Sequence, residues 1–150
     1  MPELDYNDPA VEKSWCEQQR CAVSSYLRSQ EIEHGRVGDW PAWHVAPCAS
    51  IWAVESLTHP GWIGWWVIAG DLPTDYISAA SVALPQHPRK AMRVFASNWL
   101  KMVEAWRQGR ESENVRIAGL RSPEELAPLL ETRARILLEW AADDSLWQDC

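Results

Sequence analysis

The fold is decided by the most continuous apolar run in the chain, WIGWWVIA at residues 62–69, which is followed by GDLP at residues 70–73. An unbroken apolar run of this length, rich in Trp, Val and Ile, is typical of a central strand buried on both faces. The sequence His-Pro-Gly at residues 59–61 marks a turn before it, and the Gly and Pro after it end the strand. The run is far shorter than the roughly 20 apolar residues that cross a bilayer. The segment therefore predicts a buried strand between two turns.

Three helical patterns surround this strand. The first follows the N-cap Asp8, has a Pro at the first helical position and ends at Gly35. The second runs from Pro88 to Gly109, and the third begins at Pro123. In each pattern the apolar residues recur three and four positions apart, which predicts an amphipathic helix with one face in a core.

The order of the elements predicts the fold class. A short strand at residues 51–54 and the strand at residues 62–69 lie between the first helix and the other two. Thr74 is a suitable cap for a short helical turn through Ile77. Strands grouped between helices are typical of an α+β fold. We therefore expect a small antiparallel sheet of two to four strands packed against an N-terminal helix and two C-terminal helices.

The chain of 150 residues has the size of one domain. A chain of this length buries roughly 70% of its extended surface and forms a core without disulfides or metals. We expect a single domain over residues 1–150, with frayed ends at residues 1–7 and 148–150. Residues 110–121 are charged and polar, which predicts an exposed linker.

The N-terminal residues and the cysteines indicate a compartment. Residues 1–5, MPELD, are acidic and lack the apolar core of a secretory signal. Cys16 and Cys21 are five residues apart on a predicted helix, so their side chains diverge around its axis. We therefore expect reduced thiols, a cytoplasmic location and no association with a membrane.

Charge is distributed unevenly along the chain, whose net charge is −7. Residues 1–88 carry 11 acidic and 4 basic side chains, residues 89–121 carry 3 and 8, and residues 122–150 carry 7 and 2. The acidic total argues against nucleic-acid binding, which needs a basic face. Either the second and third helices neutralise each other's charges, or a dipolar surface steers a charged partner.

Tryptophan is the most unusual residue type, since the chain has 11 Trp and 1 Phe. Four of them fall on the apolar faces of the predicted helices, and we expect these in the core: Trp15, Trp99, Trp106 and Trp140. Six lie in predicted strands, turns or the C-terminal tail: Trp40, Trp43, Trp62, Trp65, Trp66 and Trp147. These six either complete a core that is short of Phe or form a surface that binds a protein or stacks on a ligand. Adjacent strand residues point to opposite faces, which leaves one ring of Trp65 and Trp66 able to face outward.

Asp71, Asp75 and Tyr76 lie close after the end of the central strand. Paired carboxylates at such a place are able to bind a metal or to act as acid and base, and ligands often collect where a sheet ends. Asp also suits a Pro-bounded turn, because its side chain accepts hydrogen bonds from the local backbone. The sequence leaves both interpretations open.

Arg133 lies in the middle of the apolar face of the third helix. A guanidinium in that position must be paired or must reach solvent. It therefore either forms a structural ion pair, with Asp71 or Asp75 as candidate partners, or binds an anion in a cleft.

The remaining candidates for chemistry are weak. His44, Cys48 and His59 lie within sixteen residues, but no pair has a zinc spacing, and a Cys and a His at this separation are common by chance. The sequence has no Gly-rich phosphate loop and no hydrolase motif. We therefore expect no metal, no cofactor and no catalytic residue.

Residues 64–76, GWWVIAGDLPTDY, resemble a signature of an uncharacterised family of small bacterial proteins, each a single domain of unknown function. Residues 87–95, HPRKAMRVF, with Trp99 and the pair Leu146-Trp147, are similar to further stretches of that family. The resemblance covers residues 9–148 and implies a bacterial cytosolic protein with no established activity. It assigns no catalytic residue, and this chain is richer in Trp than the family.

These observations favour a non-enzymatic, bacterial protein-binding module. One specific form of this hypothesis is an immunity protein, in which acidic side chains meet the basic mouth of a toxin domain and Trp rings anchor the contact. The candidate binding residues are Trp40, Trp43, Trp62, Trp65, Trp66, Asp71, Asp75, Tyr76 and Arg133. The alternative is a small-molecule or enzymatic site at Asp71 and Asp75, and exposed indoles are also compatible with a homo-oligomer.

Overall fold

The computed structural model describes residues 4–109 and 123–148. The chain divides into two compact units, Met1–Ala79 and Ala80–Cys150. The first unit contains one helix and a four-stranded antiparallel sheet, and the second contains two helices. The predicted α+β fold class is therefore confirmed, and the sheet has the largest strand number that was expected.

The structure gives the following bounds. The helices are α1 (Pro9–Ser29), α2 (Pro88–Arg107) and α3 (Pro123–Ala142). The strands are β1 (Trp43–Val45), β2 (Ala49–Glu55), β3 (Ile63–Gly70) and β4 (Asp75–Ser78). Short 3₁₀ turns lie at Ala79–Ser81 and Asp144–Trp147. All three helices begin at a Pro, as predicted, because the fixed φ of proline suits the first helical position and its missing N–H costs nothing there.

The sheet is an antiparallel meander in the order β1-β2-β3-β4. The longest ladder joins β2 to β3 and starts at the pair Ala49 and Gly70. Gly70 has a φ of +140°, and a Cβ there would lie 2.5 Å from the carbonyl oxygen of Cys48. Only glycine is free of both the strain and the clash, which explains why the central strand ends where it does.

The segment of residues 35–38 lies along β2 beyond the end of β1. The N–H of Gly35 donates to the carbonyl of Glu55 at 2.8 Å, and Val37 forms an isolated antiparallel bridge with Val54. This segment covers the edge of β2 nearest the β2–β3 turn. It thereby places residues from the loop after α1 beside the tip of that turn.

The core of the first unit lies between α1 and one face of the sheet. Alternate residues of a strand share a face, and those of β2 and β3 on this face are apolar apart from the buried Ser50, whose hydroxyl accepts from the Trp52 indole at 2.9 Å. The buried members of the cluster are Val23, Leu27, Val37, Trp52, Val54, Val67 and Ala69. Four half-buried side chains pack against them: Tyr26, Ile32, Trp65 and Tyr76.

The second unit is an α2–α3 pair held by apolar and charged contacts. The apolar faces of both helices are largely buried, whereas Trp106 and Trp140, which were expected in the core, are half-buried. The guanidinium of Arg107 on α2 pairs with Glu131 on α3, and Arg89 donates to the carboxylate of Asp144 at 2.6 Å. Opposite charges therefore meet within this unit, in line with mutual neutralisation of the second and third helices.

Two local predictions are wrong. Residues 74–77 were expected to form a helical turn capped by Thr74, but Asp75–Ser78 is the strand β4. The pairing of β4 with β3 overrides the local preference for a turn, since it satisfies a row of backbone groups. The first helix ends at Ser29 rather than near Gly35, because residues after 30 turn back toward β2.

Some predictions about organisation are not tested. The single domain and the frayed ends stay predictions, although residues 5–8 form a turn in which the N–H of Asp8 donates to Asp5 at 3.0 Å. The linker at residues 110–121 lies outside the described residues. Within residues 4–109 and 123–148, no helix has the length and apolar character that a membrane crossing requires. The cytoplasmic location stays a prediction.

Candidate functional site

The eleven tryptophans differ sharply in exposure. Trp62 and Trp40 are the two exposed indoles among them, at 70% and 48% of their full accessible surface. Six are buried: Trp15, Trp43, Trp52, Trp66, Trp99 and Trp147. Three are half-buried: Trp65, Trp106 and Trp140. An exposed indole is unusual because its apolar rings lose a large hydrophobic gain, so Trp40 and Trp62 mark the candidate site.

We call the exposed apolar side chains Trp40, Leu57 and Trp62 the hairpin-edge surface. Leu57 and Trp62 belong to the β2–β3 turn, and Leu57 is 53% exposed. The turn is closed by a hydrogen bond from the N–H of Ser56 to the carbonyl of Trp62 at 2.8 Å. A second bond, 3.1 Å long, runs from the N–H of Trp62 to the carbonyl of His59. The turn is therefore a hydrogen-bonded structure that presents Trp62, not a loose loop.

An open cavity of about 320 Å³ lies beside Trp62. Its lining includes the charged side chains Arg36, Asp39 and Glu55, and Trp40 follows Asp39 directly in the chain. Trp62 therefore borders a concave region that three charged side chains also line. Arg36 donates to Asp39 at 2.5 Å, and this hydrogen bond and charge hold the pKa of the Asp39 carboxyl below its ordinary value.

Trp40 is fixed by contacts at the edge of the sheet. Its ring meets His44 edge-on at a centroid distance of 5.3 Å, and His44 in turn lies 6.3 Å from the ring of Trp15 on α1. The Nε2 atom of His44 is 3.2 Å from a carboxylate oxygen of Glu12. His44, which the sequence offered as a weak metal or base candidate, therefore contacts both Trp40 and Trp15.

The other predicted aromatic candidates are inside the first unit. Trp43 and Trp66 are buried, and Trp66 is only 1% exposed. Trp65 is half-buried and packs edge-on against Tyr76 at 5.7 Å, next to the α1 face of the sheet. Neither ring of the Trp65-Trp66 pair is exposed, so the outward-facing indole comes from the turn instead of the strand.

Asp71 and Asp75 have different surroundings. Asp71 is exposed after the end of β3, and its N–H donates to the carbonyl of Cys48 at 2.9 Å. Asp75 is fully buried in β4, where its Oδ1 accepts from the N–H of Tyr76 at 2.8 Å. Asp75 thus makes the local backbone bond expected of a structural Asp. A shared site for the two carboxylates stays a prediction.

Arg133 is half-buried on α3 in the second unit. Its proposed pairing with Asp71 or Asp75 also stays a prediction. Hydrogen bonds are described for Arg89 of the second unit and for Arg20 and Arg36 of the first.

The cysteines and histidines form no metal centre in the described residues, where no three His, Cys, Asp or Glu side chains lie close enough to hold an ion. Cys16, Cys21 and Cys48 are free thiols. Burial, together with the nearby charge of Glu12, raises the pKa of the Cys16 thiol to about 11. Cys16 therefore stays protonated at neutral pH and is a core residue.

Sequence reasoning missed most of the charged partners of the candidate site. Arg36, Asp39 and Glu55 belong to a loop and a strand end, and none of them lies in a recognisable motif. They meet because residues 35–38 pair along β2, a contact between segments that are far apart in the chain. The one sequence signal was the concentration of Trp on both sides of the turn at residues 59–61.

Comparison with known proteins gives one match. The family model of a domain of unknown function, DUF4826, matches residues 9–147. The chain belongs to this family. The match confirms the expectation of a domain of unknown function that spans nearly the whole chain, whereas the signature at residues 64–76 and a bacterial origin stay predictions. No curated protein and no solved structure matches the chain.

Proposed function

We propose that this member of the DUF4826 family is a non-enzymatic protein-binding module whose partner docks on the hairpin-edge surface. The observation that carries the proposal is the 70% exposure of Trp62 where a hydrogen-bonded turn ends and β3 begins. An indole is a large, rigid anchor with a polar N–H, and Trp is among the residues most enriched at binding hot spots. A second exposed indole, Trp40, directly follows Asp39, which lines the same cavity as Trp62, and is a further candidate anchor.

The partner that fits this surface is a protein with a basic surface and an apolar pocket. Residues 1–79, which hold the hairpin-edge surface, carry 11 acidic and 4 basic side chains. Two of the acidic ones, Asp39 and Glu55, line the cavity beside Trp62. Complementary charge accelerates association and excludes wrong partners, and an indole that becomes buried on binding supplies affinity.

The specific form that we propose is an immunity protein that occludes a basic toxin domain. An acidic protein that covers a basic active-site mouth inhibits without any catalytic group of its own. The charge of the first unit and the exposed indoles support this form. The alternative site at Asp71 and Asp75 has less support, since one of these carboxylates is exposed and the other is buried in the sheet.

The test is retention of a partner by the purified, tagged full chain at micromolar concentration in a lysate of the source organism. The retained protein is identified, produced separately and titrated against three chains: the unaltered protein, Trp62→Ala and the double variant Trp40→Ala with Trp62→Ala. We expect Trp62→Ala to weaken binding at least about tenfold, the size of a hot-spot truncation.

Leu84→Ala is the matched control, because Leu84 is an apolar side chain that is 76% exposed and does not belong to the hairpin-edge surface. This variant should bind as tightly as the unaltered chain. The proposal fails if no protein is retained, or if Leu84→Ala and Trp62→Ala weaken binding equally. Light scattering on the pure chain tests whether the hairpin-edge surface binds a second copy of the chain instead of another protein. A dimer that Trp62→Ala dissociates would contradict the proposal.

A further inference from the structure

A second cavity, separate in its chemistry from the one beside Trp62, lies between α1 and the segment that follows it. Its volume is about 550 Å³, within the range of roughly 300–1,000 Å³ that small-molecule sites occupy. The basic side chains Arg20, Arg28 and Arg36 line it. The only other basic residue in positions 1–79 is Lys13. Three of the four positive charges of an acidic unit thus converge on one cavity.

The arginines of this cavity are arranged to hold an oxyanion. Arg20 is fixed by two hydrogen bonds of 2.9 Å, from Nε to the carbonyl of Gly38 and from Nη2 to the carbonyl of Val37. Its guanidinium lies 3.8 Å from a carboxylate oxygen of Asp39, whose other oxygen accepts from Arg36 at 2.5 Å. A carboxylate of the chain itself therefore already lies between two guanidinium groups.

Arg28 is the group in this cavity that is available to a ligand. It lies in the last turn of α1 and is exposed, and its side chain makes no hydrogen bond or ion pair with the residues that the structure describes. Ile32 and Val37 add apolar surface to the lining, and Ser24 adds a hydroxyl. The cavity therefore offers both cationic and apolar contacts.

We propose that this cavity binds a small organic oxyanion, a molecule that carries a phosphate or carboxylate group on an apolar body. Guanidinium groups bind both oxyanions through paired hydrogen bonds, and Arg28 with the Arg20–Arg36 pair would hold the anion. The apolar body would contact Ile32 and Val37. Two glutamates, Glu31 and Glu33, also line the cavity and would select against a ligand of high negative charge. The proposal does not depend on protein binding at the hairpin-edge surface.

The test is a titration of the isotope-labelled full chain, followed through the arginine Nε–H signals by NMR. The probes are phenyl phosphate, benzoate and the neutral analogue benzyl alcohol. We expect saturable shifts of the Arg20, Arg28 and Arg36 signals with at least one of the two anions and none with the alcohol. The anion that binds more tightly identifies the group that the site prefers.

Three variants test how individual charged side chains change the affinity for the anion. Arg28→Gln should weaken anion binding about fivefold, a moderate loss because the guanidinium is solvated. Asp39→Asn should strengthen binding, because it removes the carboxylate that competes for Arg20 and Arg36. Lys13→Gln removes one positive charge from α1 outside the cavity and should change affinity less than about twofold.

Two results would overturn the proposal. One is that neither anion produces a saturable shift at millimolar concentration. The other is that Lys13→Gln weakens binding as much as Arg28→Gln does, which would indicate a general charge effect. Tighter binding by Asp39→Asn cannot come from a loss of folding, so that variant keeps the test decisive if Arg28→Gln proves unstable.

Discussion

Trp62 and Trp147 are two tryptophans outside the long helices and strands, and their surroundings are opposite. Trp62 is 70% exposed at the end of the β2–β3 turn, whereas Trp147 near the end of the chain is 6% exposed. The Nε1–H of Trp147 donates to the carbonyl of Trp140 at 2.9 Å, and the guanidinium of Arg89 lies 5.9 Å from its ring centre. The ring of His87 lies 5.8 Å away.

The contrast shows that a loop position does not decide whether an indole serves stability or recognition. Trp147 has a hydrogen-bond acceptor, a cation and an aromatic neighbour within its own unit, so its burial stabilises the fold. Trp62 is held by its backbone in the turn while its side chain extends into solvent. The free energy that Trp62 does not gain from folding is available for binding.

The largest effect should come from Trp147→Ala. Removing a buried indole and leaving its space empty should lower the free energy of unfolding by about 3 kcal/mol. Trp62→Ala is the matched control and should change it by less than about 0.5 kcal/mol, as a solvated surface substitution does. Denaturant unfolding of both variants measures the difference. Equal losses would show that the two indoles play the same role.

Trp147→Phe isolates the hydrogen bond. Phe retains most of the ring but leaves the carbonyl of Trp140 without the donor that the indole provides. We expect a loss of about 1–2 kcal/mol, since a buried acceptor is left unsatisfied. Trp62→Phe should be neutral in the same unfolding measurement. A neutral Trp147→Phe would mean that packing alone holds Trp147.

The surroundings of Trp147 should also respond to pH through His87. Neutral His87 caps α2, because its Nδ1 accepts from the N–H of Arg89 at 3.0 Å. Burial first, then the charges of Lys90 and Arg89, lower the pKa of His87 below its ordinary value of 6.5. The unfolded chain therefore takes up a proton at higher pH than the folded chain does.

It follows that stability from His87 is fully present above pH 6.5 and is lost as the pH falls from 6.5 through the lower folded-state pKa. Loss of an N-cap alone costs about 1 kcal/mol. His87→Asn keeps a capping acceptor that does not titrate. Unfolding at pH 7.5 and pH 5 should show the smaller pH dependence in the variant, and identical dependence in both chains would contradict the role of His87.

The smallest effect concerns Trp40. Its edge-on contact with His44 should contribute about 0.5–1 kcal/mol. Trp40→Ala should therefore destabilise the chain slightly more than Trp62→Ala does, which the same unfolding curves detect. A loss as large as that of Trp147→Ala would show that Trp40 stabilises the fold. Trp40 would then no longer count as part of the hairpin-edge surface.

The sequence predicted the elements that are specified locally. Asp8 and the Pro residues that open the three helices fix where those helices begin, and the apolar run at residues 62–69 falls within one position of β3. β4 was missed, because Thr74 and Asp75 favour a turn by themselves and only pairing with β3 makes that segment a strand. The local preference of a segment therefore predicts its structure unless pairing with another strand supplies more hydrogen bonds.

The candidate site was predicted less well than the fold. The excess of Trp left open whether the six indoles outside the long helices complete the core or form a surface. Trp40 and Trp62 are exposed, whereas the other four are buried or half-buried. Which ones are exposed depends on the strand register and on the turn, and neither follows from composition. The contact of Asp39 with Arg20 and Arg36 depends on the pairing of residues 35–38 with β2, a long-range contact that no local pattern encodes.

The most direct measurement of the central claim is the set of indole N–H signals of the isotope-labelled chain, recorded with and without the partner that it retains. The account predicts that the signals of Trp40 and Trp62 shift or broaden on binding, while those of Trp99 and Trp147 keep their positions. Unchanged Trp40 and Trp62 signals in a saturated complex would contradict the claim that the hairpin-edge surface is where the partner binds.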